Sequence, residues 1–114
     1  MNARRREVWL WAAQRATAAI LALCVVVHLV TIVYAVRGGL TAAQILGRTR
    51  GNGAWAIFYS VFVFAAAIHG SIGLRTIAAE WLGFRGRAAE AATLVIALAL
   101  AITGMRAVVA VASA

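Results

Sequence analysis

Three runs without any Asp, Glu, Lys or Arg dominate the chain: residues 16–36, residues 51–74, and a shorter one over 91–105 flanked by Glu90 and Arg106. An α-helix rises 1.5 Å per residue, so about 20 residues cross roughly 30 Å of hydrocarbon. The first two runs reach that length, and the third reaches it when its flanking residues snorkel to the interface. The pattern predicts an all-α integral membrane protein with three transmembrane helices near residues 14–36, 54–81 and 88–112.

Between the first two spans lies "RGGLTAAQILGRTRGNG", residues 37–53, with glycines at both ends and a short amphipathic piece over 41–46 placed to lie in the interface. The second connection, "LGFRGR", is tight. Connections this short make successive helices antiparallel neighbours. No repeat or low-complexity tail interrupts the pattern, so residues 1–114 read as a single domain.

Composition agrees with the periodicity: 65% of the 114 residues are hydrophobic, 12% are charged and none is proline, too little polar surface to wrap a soluble core. A signal peptide is a weaker reading of the basic leader Arg4–Arg5–Arg6 and the run behind it. The run is about 20 residues, against 7–15 for a signal core, and no clear cleavage site follows. The one cysteine, Cys24, lies inside the first span, which excludes a disulfide framework and a cysteine-held zinc or iron–sulfur site.

A net charge of +8, carried by eleven arginines, would suggest nucleic acid in a soluble protein. In a membrane protein it reads instead as orientation, with lipid and not nucleic acid as the partner. Arg4, Arg5, Arg6, Arg15, Arg75, Arg85 and Arg87 fall on one side, and Arg37, Arg48, Arg50 and Arg106 on the other. That excess predicts a cytoplasmic N-terminus and a C-terminus on the outer, periplasmic side of a bacterial inner membrane. Trp9, Trp11, Trp55 and Trp81 lie near predicted helix ends, where interfacial aromatics belong.

The stretch "AIHGSIGLRTIAAEW", residues 67–81, sets a histidine, an arginine and a glutamate into or beside hydrocarbon, where ionisable groups are costly and function is the default reading. At 100° per residue Phe58, Phe62, Ala65, His69, Gly73, Thr76 and Glu80 fall within about 40° of one line. That stripe faces protein or a cofactor. Gly73, one turn from His69, clears a patch on which a flat macrocycle could lie while the imidazole reaches its metal. On the first helix Gln14, Thr17, Leu21, Cys24, His28, Ile32 and Ala35 form a similar stripe. Counted from Arg15 and from Glu80, His28 and His69 both come out about 16–20 Å deep, near mid-membrane.

A neutral imidazole in lipid suits haem iron, whose axial ligands in electron-transfer cytochromes are often histidines of different helices. The plainer alternative is that each ring hydrogen-bonds a neighbouring carbonyl or threonine. Two histidines without cysteine or a nearby acid do not close a zinc site. At the N-terminal boundary Arg15, Glu80 and Trp81 could hold a quinone headgroup, or could be a snorkelling pair beside an aromatic anchor. Arg75, about 120° from the His69 line, reads as a contact for a haem propionate or a lipid phosphate.

These residues resemble a known family, the cytochrome b membrane-anchor subunits of succinate dehydrogenase and fumarate reductase, the complex II group. In "HGSIGLRTIAAEW" the likeness is a haem-ligating histidine, a glycine four residues on and an acidic–aromatic pair eleven and twelve residues on. "QRATA" is similar to the family's arginine followed by a small residue and Ser or Thr. The likeness spans most of residues 9–87. It implies three helices forming half of a helical-bundle anchor, with His69 an axial ligand of a b haem and Arg15 a propionate or quinone contact. Trp81 stands where the family usually has a tyrosine and Glu80 where aspartate is common, so the donor to quinone becomes an indole N–H.

Anchors with two haems resemble this chain in having a histidine on the first helix, which makes His28 a candidate ligand of a second haem b. Directly packed helices lie about 8–10 Å apart, too close for a porphyrin bracketed within one chain. Each histidine is therefore expected to share its iron with a second anchor subunit or a second copy of this chain. The resemblance also implies flavoprotein and iron–sulfur partners, electrons passing from the latter to quinone, and no catalysis by the anchor alone. No glycine-rich dinucleotide fingerprint is present to hold flavin. Two other classes remain open on the residues: a haem-free structural anchor, and a small transport subunit with a proton path through His28, His69 and Glu80.

Overall fold

The computed structural model describes residues 2–113. It contains four helices, α1 (Ala3–Arg37), α2 (Ala42–Thr49), α3 (Gly53–Leu82) and α4 (Arg87–Ser113), and no strand among the described residues. Three of them, α1, α3 and α4, are long and apolar enough to cross a membrane. The protein is thus an all-α membrane protein, 50 × 24 × 23 Å in extent.

Local chemistry sets the ends. The Asn2 side chain accepts a hydrogen bond from the Arg5 N–H at 2.8 Å and starts α1 at Ala3, well ahead of the apolar run. Nothing then stops the helix until Gly38, because residues 3–37 contain neither glycine nor proline. Placing the first helix near 14–36 followed hydropathy alone; the polar first turns are equally good helix. Thr41 and Gln44 cap α2 reciprocally at 3.2 and 2.8 Å. Gly83 closes α3 in the left-handed region at φ 67°, and the next N–H, from Phe84, donates to Ala78 O at 3.1 Å.

Packing puts α3 in the middle, against α1 on one side and α4 on the other. Most of the buried residues are small: Thr17, Cys24, Ala65, Ala67, Ser71 and Ala89 lie inside together with Ile72 and Val108, while Leu23, Val36, Ile57, Leu94 and Ile102 face outward. Lipid tails are as apolar as leucine, so close backbone approach, not burial of large side chains, decides which residues go between helices. Ser and Thr hydroxyls return to the carbonyl three or four residues back, as at Thr17, Ser60, Thr76, Thr93 and Thr103, which keeps them satisfied without water. Opposite the N-terminal end, Thr49 Oγ1 donates to Val111 O at 2.9 Å and Gly51 N–H to Ala112 O at 2.8 Å, tying the end of α2 and the connection after it to the last turn of α4.

Among the glycines the closest approach is at Gly104, where a Cβ would lie 2.5 Å from Val63 Cγ1. Gly104→Ala is expected to cost about 1–3 kcal/mol by overpacking, less up to about 1 kcal/mol of helix propensity. In thermal unfolding of the detergent-extracted chain it should lower the melting temperature, and a second change, Val63→Ala, should recover part of the loss. Gly47→Ala, inside α2 with open space around it, should not lower the melting temperature and should add up to about 1 kcal/mol of helix propensity.

Candidate functional site

His69 sits on the face of α3 that meets α1. Its Nδ1 lies 3.3 Å from Thr17 Oγ1, and Thr17 is only 7% exposed. One turn on, Gln14 covers Gly73, where an added Cβ would stand 3.3 Å from Gln14 Nε2. So Gly73 does not clear a bare patch for a macrocycle; it lets α1 lay a side chain across α3. The Oε1 of Gln14 is buried without a partner.

The two readings left open for His69 turn out to be compatible. A threonine hydroxyl has one proton, and that of Thr17 is taken by carbonyls of its own helix, Ala13 O at 2.7 Å and Gln14 O at 3.1 Å. The Oγ1 lone pairs therefore face Nδ1 of the ring, and Nε2 has no hydrogen-bond partner among the described residues. An imidazole held at one nitrogen and bare at the other is the form that binds a metal. The donor chemistry at His69 fits an axial haem ligand.

His28 lies elsewhere. Its Nδ1 is 3.2 Å from Tyr59 Oη, and its ring meets Tyr59 and Phe62 edge-on, with centroids 5.7 and 5.6 Å apart. It lines a largely apolar groove of about 780 Å³ that also takes in Tyr34, Arg48 and Trp55. The contacts 17/69 and 28/59 set the antiparallel register, and ten to eleven residues separate them on each helix, or about 15–16 Å. The histidines are therefore not at one depth near mid-membrane. Arg15 was a misleading origin because α1 begins at Ala3.

The same register revises the N-terminal cluster. Arg15, two residues from Thr17, is nearly level with His69, and its guanidinium lies 5.3 Å from the Trp11 ring centroid. Glu80 is eleven residues from His69 and so roughly 13 Å farther along the bundle than Arg15. It lines a cleft of about 580 Å³ at the N-terminal end with Arg6, Arg75 and Arg85, while Trp81 is 83% exposed. Arg15, Glu80 and Trp81 are not brought together within this chain. Successive steps from His28 to His69 to Glu80 are about 15–16 Å, far beyond a hydrogen bond, so the chain itself lays no direct proton relay between them.

Arg75 lines the same cleft and is engaged there in an ion-pair network. It pairs with Glu7 of α1 at 2.8 Å and Glu90 of α4 at 3.3 Å, and Arg6 reaches Glu90 at 3.2 Å. These contacts join all three long helices and use two of the three acidic residues. Among the described residues Glu80 forms no ion pair. Sequence reasoning missed Glu7, Glu90 and Tyr59, whose partners become visible only once the helix register is known. No group of three or more His, Cys, Asp or Glu side chains among the described residues could hold a bare metal ion.

One family model matches the chain, over residues 2–108: the succinate dehydrogenase/fumarate reductase transmembrane subunit. No curated protein sequence and no solved structure matches it.

The ion-pair network generates a stability expectation. With its side chain 18% exposed and two carboxylates to serve, Arg75 should lose more stability on change to Gln than Glu7, whose side chain is 59% exposed. A double-mutant cycle on Glu7 and Arg75, read by unfolding in detergent, should give a coupling below about 1 kcal/mol.

Proposed function

The chain belongs to the succinate dehydrogenase/fumarate reductase transmembrane-subunit family, and on that premise we propose that it is a haem b-binding anchor of such a complex. In this reading it tethers the flavoprotein and iron–sulfur subunits at its N-terminal face and serves electron transfer from the iron–sulfur subunit to quinone. The observation that carries it is the bare Nε2 of His69, held in an apolar section by a hydrogen bond at Nδ1.

His69 would provide one axial ligand and His28 one ligand of a second haem b. About 15–16 Å between them along the bundle supports separate irons, each completed by a second anchor or a second copy of this chain. When bound between two histidines, haem supplies one-electron transfer without an open iron position. The chain's own residues do the rest. Thr17 orients the His69 ring, the small residues of the α1–α3 contact exclude water from it, and Arg15, nearly level with His69, offers its guanidinium to a propionate. Arg75, held at Nη2 by Glu7 and Glu90, contributes positive charge at the N-terminal end.

Quinone reduction takes two protons with two electrons. Glu80, a carboxylate without an ion pair among the described residues, would pass a proton from water to a quinone oxygen, and Trp81 would donate its indole N–H. The seven arginines toward the N-terminal end against four at the other support a cytoplasmic N-terminus in a bacterial inner membrane, with the C-terminus periplasmic.

The membrane-extracted complex should co-purify with a flavoprotein and an iron–sulfur subunit and show a b-type band in a reduced-minus-oxidised spectrum. His69→Ala should abolish the band from its haem, while His28→Ala should leave that band in place and remove at most a second one. A wild-type complex with both soluble subunits and no b-type band would mean a haem-free anchor.

A further inference from the structure

We propose that Thr17 is a positioning residue for His69, fixing the imidazole in the Nδ1–H form so that Nε2 is always the nitrogen presented to a metal; this rests on the haem reading above. The argument is about a single proton. Thr17 Oγ1 stands 2.7 Å from Ala13 O and 3.1 Å from Gln14 O, so its hydrogen points back along α1 and only its lone pairs face the ring 3.3 Å away. The opposite tautomer would set the lone pair of Nδ1 against those of Oγ1, unless Thr17 gave up a hydrogen bond to its own helix in a place without water.

His28 has no such lock. The Tyr59 hydroxyl is the only hydrogen-bond partner of the His28 ring among the described residues and makes no other hydrogen bond there, so that proton can lie on either side. The chain thus imposes one tautomer at His69 and leaves both accessible at His28. A donor hydrogen bond at Nδ1 also makes the ring a more basic ligand, which stabilises oxidised iron over reduced iron and lowers the midpoint potential.

The test compares the full wild-type chain with Thr17→Val, which keeps the shape and removes the hydroxyl, and Thr17→Ser, which restores it. In the haem-free chain with 15N-labelled histidine, reconstituted in phosphatidylcholine nanodiscs, His69 should show a protonated Nδ1 and an unprotonated Nε2. Thr17→Val should mix the tautomers and Thr17→Ser should not. In the purified complex Thr17→Val should weaken haem retention roughly 10–100-fold and raise the midpoint potential, and Thr17→Ser should reverse both. A wild-type His69 protonated at Nε2, or a Thr17→Val chain with unchanged tautomer and potential, overturns the proposal. A wild-type complex without haem but with the Nδ1–H form intact would instead overturn the cofactor reading.

Discussion

A polar group in hydrocarbon must find its partner inside the protein, and that constraint organises this molecule. Backbone groups meet it by forming helices, hydroxyls meet it by turning back on the helix that carries them, and His69 meets it at one nitrogen through Thr17. Half-satisfaction is informative in such a setting. A ring that used both nitrogens within the chain would be a strut between helices, whereas His69 leaves Nε2 without a partner among the described residues.

The charged residues obey the same rule by segregation. All three carboxylates lie toward the N-terminal end, and Glu7 and Glu90 are used there to join α1, α3 and α4 through Arg75 and Arg6. The cleft beside this knot retains Glu80 as a carboxylate outside the network. At the other end the helices are tied instead by backbone-directed hydrogen bonds from Thr49 and Gly51 to the last turn of α4. Between the two ties the helices meet largely through alanine, glycine, serine and threonine, with Val63 and Ile72 among them, and they turn most large apolar side chains outward. That outward surface suits lipid and a neighbouring helical subunit alike, as expected of an anchor.

Much of this was legible in the sequence. Three charge-free runs demand three spans whatever the tertiary arrangement, because hydrocarbon admits no unsatisfied backbone. The stripes through His28 and His69 follow from helical periodicity, and "HGSIGLRTIAAEW" and "QRATA" carried enough spacing to point to the family that residues 2–108 match. The start of α1 was less legible, since hydropathy sees where lipid begins and not where a helix does.

What the sequence determined by itself was which segments cross, which faces carry histidine, and where charge cannot go; these depend on one helix at a time. Only the tertiary structure decided that Thr17 meets His69, that Tyr59 meets His28, that the two rings lie about 15–16 Å apart, and that Arg75 answers to Glu7 and Glu90. Each of those is a statement about axial register between helices. Register comes from how small residues and caps let α1 slide against α3, and periodicity along either helix alone carries no information about it.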